Sequence, residues 1–451
     1  MVWGCPAVTR PGAGSRAKSS KSAQGGWGIP ISSLEADVPC IRTPDGVVER
    51  RRLRRLAAVA TSLSAMVATS VGAGPATASA PALRCALGRT DVHHSEGLAS
   101  WNGAYPRPDH PLDAVMIFLS FPDARPALTP QKLSADYFPA TTRFFDRASY
   151  GKFRLRPHIQ EKWVRMPHSS RSYGIRRDWD PGRRTAYLHD AVAAAAPSVD
   201  FSRYDLVYLV ADPGAPGVDS DATKVVNLDQ PIHVGHTDLR RFVTVFEQSP
   251  PDRNVLAHET GHVFDLPDLY HRPQSGKGDW DTYVGDWDLM GSQFGLAPEP
   301  FAWHKWKLGW IDDRQVDCAE PSASSVHSLR PLSAPMEPGD ERRSRLLVVR
   351  TGPGSALAVE ARDATGNDHS LCKEGVLVYR VRNDTASGAG AVQVLDGHPG
   401  TEACRGTSVY PPLADAPLGV GESLNVAQDG IRIQVEGRTV DGDWSVKVGR
   451  G

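Results

Sequence analysis

The chain has 451 residues, 40 % of them hydrophobic, enough for one large or two moderate domains with buried cores. Its net charge of −1 hides an asymmetry: residues 1–80 carry 10 Lys/Arg against 4 Asp/Glu, leaving 41 against 48 for the remainder. A mildly acidic body argues against nucleic acid as a partner, and no run beyond the N-terminal region is apolar enough to span a bilayer.

Residues 1–46 are rich in Gly, Ser, Pro and Ala without periodicity, and read as a disordered or misannotated extension. Residues 47–80 read as a secretory signal peptide. The basic run Arg50–Arg55 precedes the apolar run Leu56–Ala68 and the small residues Ala76-Thr-Ala-Ser-Ala80. The expected start is Val47 or Val48, with cleavage after Ala78 or Ala80. A membrane anchor is the competing reading, but Thr, Ser and Gly interrupt the run before it reaches the ~20 apolar residues a span needs. Cleavage there removes Cys5 and Cys40 and leaves Cys85, Cys318, Cys372 and Cys404. Four cysteines in an exported chain imply two disulfides, with three connectivities open. We favour the local pair Cys372–Cys404, so that Cys85–Cys318 ties a mature N-terminal segment (81–111) to the end of the catalytic region. The alternative makes Cys85 a latency thiol over a metal site.

Residues 112–320 alternate strand-like and helical runs. Ala114–Phe121 reads as a buried strand and Pro130–Ala148 as one helix with Leu133, Tyr137, Phe138, Phe144 and Phe145 inward. Short strands are expected at 153–156 and 161–165, an Ala-rich helix over Arg184–Ala196, and a central strand at Tyr204–Ala211. Phe242–Phe246 is the last strand before the motif helix. Arg171, Arg176, Arg177, Arg183 and Arg184 interleave with Tyr173 and Trp179; a solvated loop is favoured over a phosphate or glycan site.

The motif helix carries His258-Glu-x-x-His262. At about 3.6 residues per turn, side chains four apart lie nearly above one another, so both imidazoles can reach one ion. Neutral imidazole suits zinc, and a catalytic zinc takes three protein ligands and a water. Glu259 beside them is placed to act as general base. Pro267 ends the helix, and Asp268, ten residues after His258, is the expected third ligand. His271 and Glu299 are the weaker rivals for that role. Asp219, Asp221, Asp229, Asp238, Asp279, Asp281, Asp286 and Asp288 could bind structural calcium. None fits a twelve-residue EF-hand loop, however, and turn chemistry accounts for most of them.

These motifs together resemble the immune inhibitor A family of secreted metalloproteases, a branch of the metzincins. The resemblance rests on His258-Glu-x-x-His-x-x-x-Leu-Pro-Asp-Leu-Tyr270 and Val284-Gly-Asp-Trp-Asp-Leu-Met290. It also rests on Phe118–Asp123, Phe144–Lys152, Trp163, Ser172–Gly174, Ala302–Trp310, Val359–Arg362 and Gly375–Arg380. It covers residues 112 to 385. It implies a metzincin-like domain in which Met290 lies in a turn beneath the metal and the last strand before the helix pairs with substrate. One residue departs from the pattern: Asp265 stands where the family motif has a left-handed Gly, a conformation Asp is among the few others to tolerate.

Beyond Trp310, seven strand-like runs parted by Gly, Pro, Asp and Asn suggest an antiparallel β-sandwich over 321–451. The whole is expected to be α+β. It reads as a secreted, monomeric zinc endopeptidase acting on proteins or peptides, with His258, His262 and Asp268 holding the ion and Glu259 catalytic. A stable membrane association after signal cleavage is not expected. The alternative is a catalytically degenerate relative that only binds protein.

Overall fold

In the computed structural model, which describes residues 84–273 and 279–451, the first sheet is built around the chain's most continuously apolar run. The expected extension and signal peptide lie outside the described residues. Strand β1 (Leu112–Ser120) sends Ala114, Met116 and Phe118 to one buried cluster and Val115, Ile117 and Leu119 to another. A strand apolar on both faces belongs inside a largely parallel, covered sheet.

Helices α1 (Pro130–Tyr137) and α2 (Ala140–Ala148) follow, then β2 (Leu155–Ile159), β3 (Val164–Arg165), α3 (Ser170–Tyr173) and α4 (Pro181–Ala195). Next come β4 (Leu206–Ala211), β5 (Lys224–Val234), β6 (Thr237–Val245), the motif helix α5 (Val255–Val263) and α6 (Ala302–Lys307). The sheet order is β2-β1-β4-β6-β5, with β3 also on β1. All pairs are parallel except β5 with β6, so the sheet is mixed. Side chains of α4 fill one face; those of α1, α2 and α5 fill the other.

Two local expectations change. The single helix over Pro130–Ala148 is broken at Pro139, because proline offers no N–H and forces extended backbone on Phe138 (φ −117°, ψ 140°). And β6 is not an edge. It lies between β4 and β5, so the free edge beside α5 belongs to β5. Its polar residues and the irregularity between Asn227 and Ile232, with Pro231 inside it, suit an edge strand and hide it from pattern reading.

The C-terminal strands are β7 (Val316–Ala319), β8 (Ser325–Leu329), β9 (Leu346–Arg350), β10 (Ser355–Arg362), β11 (Gly375–Arg382), β12 (Val392–Val394), β13 (Ser423–Val426), β14 (Ile431–Arg438) and β15 (Trp444–Arg450). They form two sheets, β12-β11-β10-β9-β7 and β13-β14-β15-β8, packed through Leu347, Leu357, Val378, Ile433 and Val446. Pairing is antiparallel except β7 with β9. The alternate residues Val348, Ala358, Leu377 and Tyr379 join the cluster that also holds α5. The five-stranded sheet is therefore buried on both faces and walls the core that holds α5. Cys85 bonds Cys318 and Cys372 bonds Cys404, which removes Cys85 as a latency thiol. Among the described residues no helix is long and apolar enough to cross a membrane.

Candidate metal centre

Helix α5 is buried along nearly its whole length, with Val255, Leu256, Ala257 and Val263 in the core. His258 and His262 share the face turned to the cleft, their ring centroids 5.0 Å apart. The His258 Nδ1 is 2.9 Å from the Leu289 carbonyl, and the His262 Nδ1 is 2.8 Å from the Leu266 carbonyl. A carbonyl can only accept, so each Nδ1 carries the proton and each Nε2 presents a lone pair. Asp268 Oδ1 lies 3.5 Å from one Nε2 and 2.9 Å from the other. The three donor atoms fall within 4.8 Å of one another, and among the described residues no other group of three His, Cys, Asp or Glu side chains converges in this way. Two imidazoles with fixed tautomers and one carboxylate fit a zinc-type site.

The electrostatics agree with a site made for positive charge. Burial alone would lower the His262 pKa, but the charge and hydrogen bond of Asp268 push it up to about 9. Burial alone would raise Asp268, and the two imidazoles hold it well below the usual carboxylate range. A metal competes with that proton for the same lone pair.

The turn after α5 brings Asp268 round. Asp265 takes the left-handed conformation (φ 62°), the Leu266 N–H returns to the Gly261 carbonyl (3.2 Å), and Pro267 follows. Asp268 is then gripped from the loop after β11. The Ser387 hydroxyl accepts its N–H (2.8 Å) and donates to its Oδ2 (3.1 Å), which leaves Oδ1 for the imidazoles. The Gly388 N–H takes its carbonyl at 2.9 Å.

The turn at Asp288–Gly291 supports all of this from below. Leu289 holds His258, the Met290 carbonyl accepts the Leu269 N–H (2.9 Å), and the Met290 side chain packs on Gly261. Asp288 fixes the turn by accepting the Met290 N–H (2.7 Å) and the Phe301 N–H (2.7 Å). Behind it, His304 sits between Asp288 (3.0 Å) and Glu96 (2.9 Å). Sequence patterns do not reveal Ser387, Glu96 and His304 as supports, because Ser387 reaches Asp268 across 119 residues and Glu96 meets His304 across 208; Asp288, read only as a calcium candidate, acts within its own turn and on nearby residues.

Glu259 is half-buried at the floor of a cleft of about 520 Å³ that His258, His262 and Asp268 also line. Burial raises its pKa against the opposing pull of the two imidazoles, and its Oε2 accepts the Val225 N–H of β5 at 2.6 Å. The rivals stand elsewhere. His271 pairs with the Tyr283 hydroxyl (3.0 Å), and Glu299 is buried against Lys305. Of the acidic calcium candidates, Asp286 accepts the Leu296 and Val409 N–H groups, Asp219 accepts the Asp221 N–H in a tight turn, and Asp238 pairs with His233. In the arginine cluster, Tyr173 and Trp179 are core residues, while Arg177 lines the cleft.

Comparison with known protein families and with curated proteins finds no match. Among solved structures, the chain is similar over 74 % of its length to 91 % of OgpA from Akkermansia muciniphila, at 9 % identity and a TM-score of 0.25. At that score the likeness says nothing of chemistry.

Proposed function

We propose that the chain is a secreted zinc endopeptidase in which His258, His262 and Asp268 hold the ion and Glu259 is the general base. The observation that carries this reading is the convergence of two Nε2 lone pairs and Asp268 Oδ1, with every supporting hydrogen bond already made. When bound, zinc supplies Lewis acidity toward a substrate carbonyl and acidifies water. Glu259 lies beside both imidazoles without contacting their Nε2 atoms, and its raised pKa suits it to take a proton from attacking water and pass it to the leaving amine. The free edge of β5 runs beside it and offers main-chain pairing to an extended peptide. Two disulfides and the signal-like sequence before them support an extracellular setting. Structural calcium is not needed by this scheme.

The test is hydrolysis of casein by the purified full chain, with chelator and then with zinc restored. Activity should vanish and return. Glu259→Gln should keep zinc and fold while losing on the order of 10²–10⁴ in rate. Near-normal turnover by that variant removes Glu259 from the chemistry. Stoichiometric zinc with no hydrolysis of any peptide turns the reading to a metal-holding binding module.

A further inference from the structure

The cleft beside the metal trio is unevenly charged. Arg177, Lys224 and Arg272 line it together with Trp280 and Tyr270. The Arg177 guanidinium lies 4.6 Å over the Trp280 ring, and Lys224 Nζ donates to the Arg177 carbonyl at 2.7 Å. Burial, with the nearby charges of Arg184 and Arg272, holds the Lys224 ammonium below its ordinary range against the pull of Glu259 and Asp178. Against these four cations the described residues place one ion-pair partner, Asp178, 3.9 Å from Arg272 and itself 86 % exposed. The cleft's own carboxylates are Asp221, Glu247, Asp252, Glu259 and Asp268, and no ion pair among the described residues joins any of them to the cations. Glu247 takes the Asp252 N–H (3.2 Å), Asp268 faces the imidazoles, and Glu259 pulls on the Lys224 ammonium without pairing with it. Like charges gathered in a cleft repel one another, and the arrangement is relieved when an anion enters.

Resting on the protease reading above, the geometry points to an anion subsite: Arg177, Lys224 and Arg272 select substrates bearing a carboxylate or phosphate side chain close to the scissile bond. The distance follows from the edge strand. Lys224 directly precedes Val225, whose N–H reaches Glu259. A substrate strand laid along β5 advances about 3.3 Å per residue, so the anionic side chain falls within about two residues of the attacked carbonyl. Arginine's planar fork suits either anion, and Arg177 is already oriented by the indole face.

The test uses the zinc-loaded full chain and quenched peptides that differ at one position near the cleaved bond: Glu, phosphoserine, Gln or Lys. The Glu peptide should exceed the Gln peptide by about tenfold in kcat/KM, mostly through KM, and the ratio should shrink as salt rises. Arg177→Ala, Lys224→Ala and Arg272→Ala should each lower the Glu-to-Gln ratio. Preference for phosphoserine over Glu assigns the subsite to phosphate; the reverse assigns it to acidic residues. Equal rates for Glu and Gln peptides, or a ratio unmoved in all three variants, overturn the proposal. Binding of the same peptides to the Glu259→Gln protein, read by fluorescence anisotropy, decides the matter without any hydrolysis. Tighter binding of the anionic peptides there upholds the subsite even if the protease reading fails, and equal binding rejects it.

Discussion

His94 Nδ1 stands 2.8 Å from Asp265 Oδ1, and Arg89 reaches the other oxygen of the same carboxylate at 2.8 Å. The residue in place of the motif glycine therefore does two jobs. Its backbone turns left-handed to end α5, and its buried carboxylate anchors the segment that begins at Cys85. Lys307 completes the anchor by donating to the carbonyls of Asp265 (2.5 Å) and Ser95 (2.9 Å). Asp265→Gly keeps the turn and loses the anchor, which should cost about 3 kcal/mol of unfolding free energy. Asp265→Ala should cost roughly 1 kcal/mol more, for the left-handed backbone. Denaturant unfolding of the two variants checks both the loss and its order.

The same pair sets how the fold responds to acid. Burial, above all, lowers His94 to about 4, so the folded ring stays neutral while an unfolded histidine protonates below about 6.5. Burial would raise Asp265, but the His94 hydrogen bond, the Lys307 charge and Arg89 bring it down to about 2. In both cases the unfolded chain binds more protons as pH falls, so stability declines. The decline should begin below about 6.5 through His94 and continue between about 4 and 2 through Asp265. In Asp265→Gly the second phase should be missing from a plot of melting temperature against pH.

His304 gives the opposite sign. It is fully buried between Glu96 and Asp288. Burial alone would lower its pKa, but the two carboxylates push it up to about 10. A group raised in the folded state contributes stability fully below its unfolded pKa, near 6.5, and loses it as pH rises through 10. His304→Ala leaves two buried carboxylates facing one another and frees the turn that holds His258, and it should cost about 3–5 kcal/mol at neutral pH. The alkaline fall in melting temperature attributable to this ring should vanish in the variant. A wild-type melting temperature that stays flat from pH 7 to 10 counts against a charged His304.

Glycine in the middle of α5 costs about 1 kcal/mol relative to alanine, so Gly261 needs a packing reason. A Cβ built there meets Met290 Sδ at 2.5 Å. Gly261→Ala should cost about 1–3 kcal/mol through overpacking, and Met290→Ala about 2–4 kcal/mol through the cavity it leaves. The double variant should lose less than the sum, because the new methyl enters the vacated space. A double-mutant cycle by unfolding reads that coupling directly.

The sequence made the site legible where the chemistry is local. His258, Glu259, His262 and Asp268 lie within eleven residues, and helical spacing with a proline stop orders them. The sandwich was legible because most of its strands are apolar runs parted by turn residues, whereas in β7 and β13 the apolar residues are interrupted by Asp317 and Asn425. Strand β5 was hidden by its polar residues and its irregular register. What no local pattern can show is who holds the ligands. Ser387 lies 119 residues from Asp268, and Glu96 lies 208 from His304. Only the fold brings them together.

The two disulfides differ in what they close, and that difference can be measured. Cys85–Cys318 spans 233 residues and fixes the start of the segment that carries Arg89, His94 and Glu96 to the supports of the candidate metal centre. Cys372–Cys404 spans 32 residues in the C-terminal region. By chain entropy the first should contribute about 5 kcal/mol and the second about 3.5 kcal/mol. The larger consequence is local. Without the crosslink, residues 85–96 depend on noncovalent contacts, those to Asp265 and His304 together with hydrogen bonds to Asn383, Arg350, Trp303 and Lys307, and every opening of that segment exposes buried charge beneath α5. Cys85→Ser/Cys318→Ser should therefore lose zinc and activity on mild warming before the fold melts, while Cys372→Ser/Cys404→Ser should lose both only at its melting temperature. Parallel metal analysis and unfolding of the two double variants tells them apart. Coincident loss of zinc and fold in both would show that the N-terminal segment is held by its side-chain contacts without help from the crosslink.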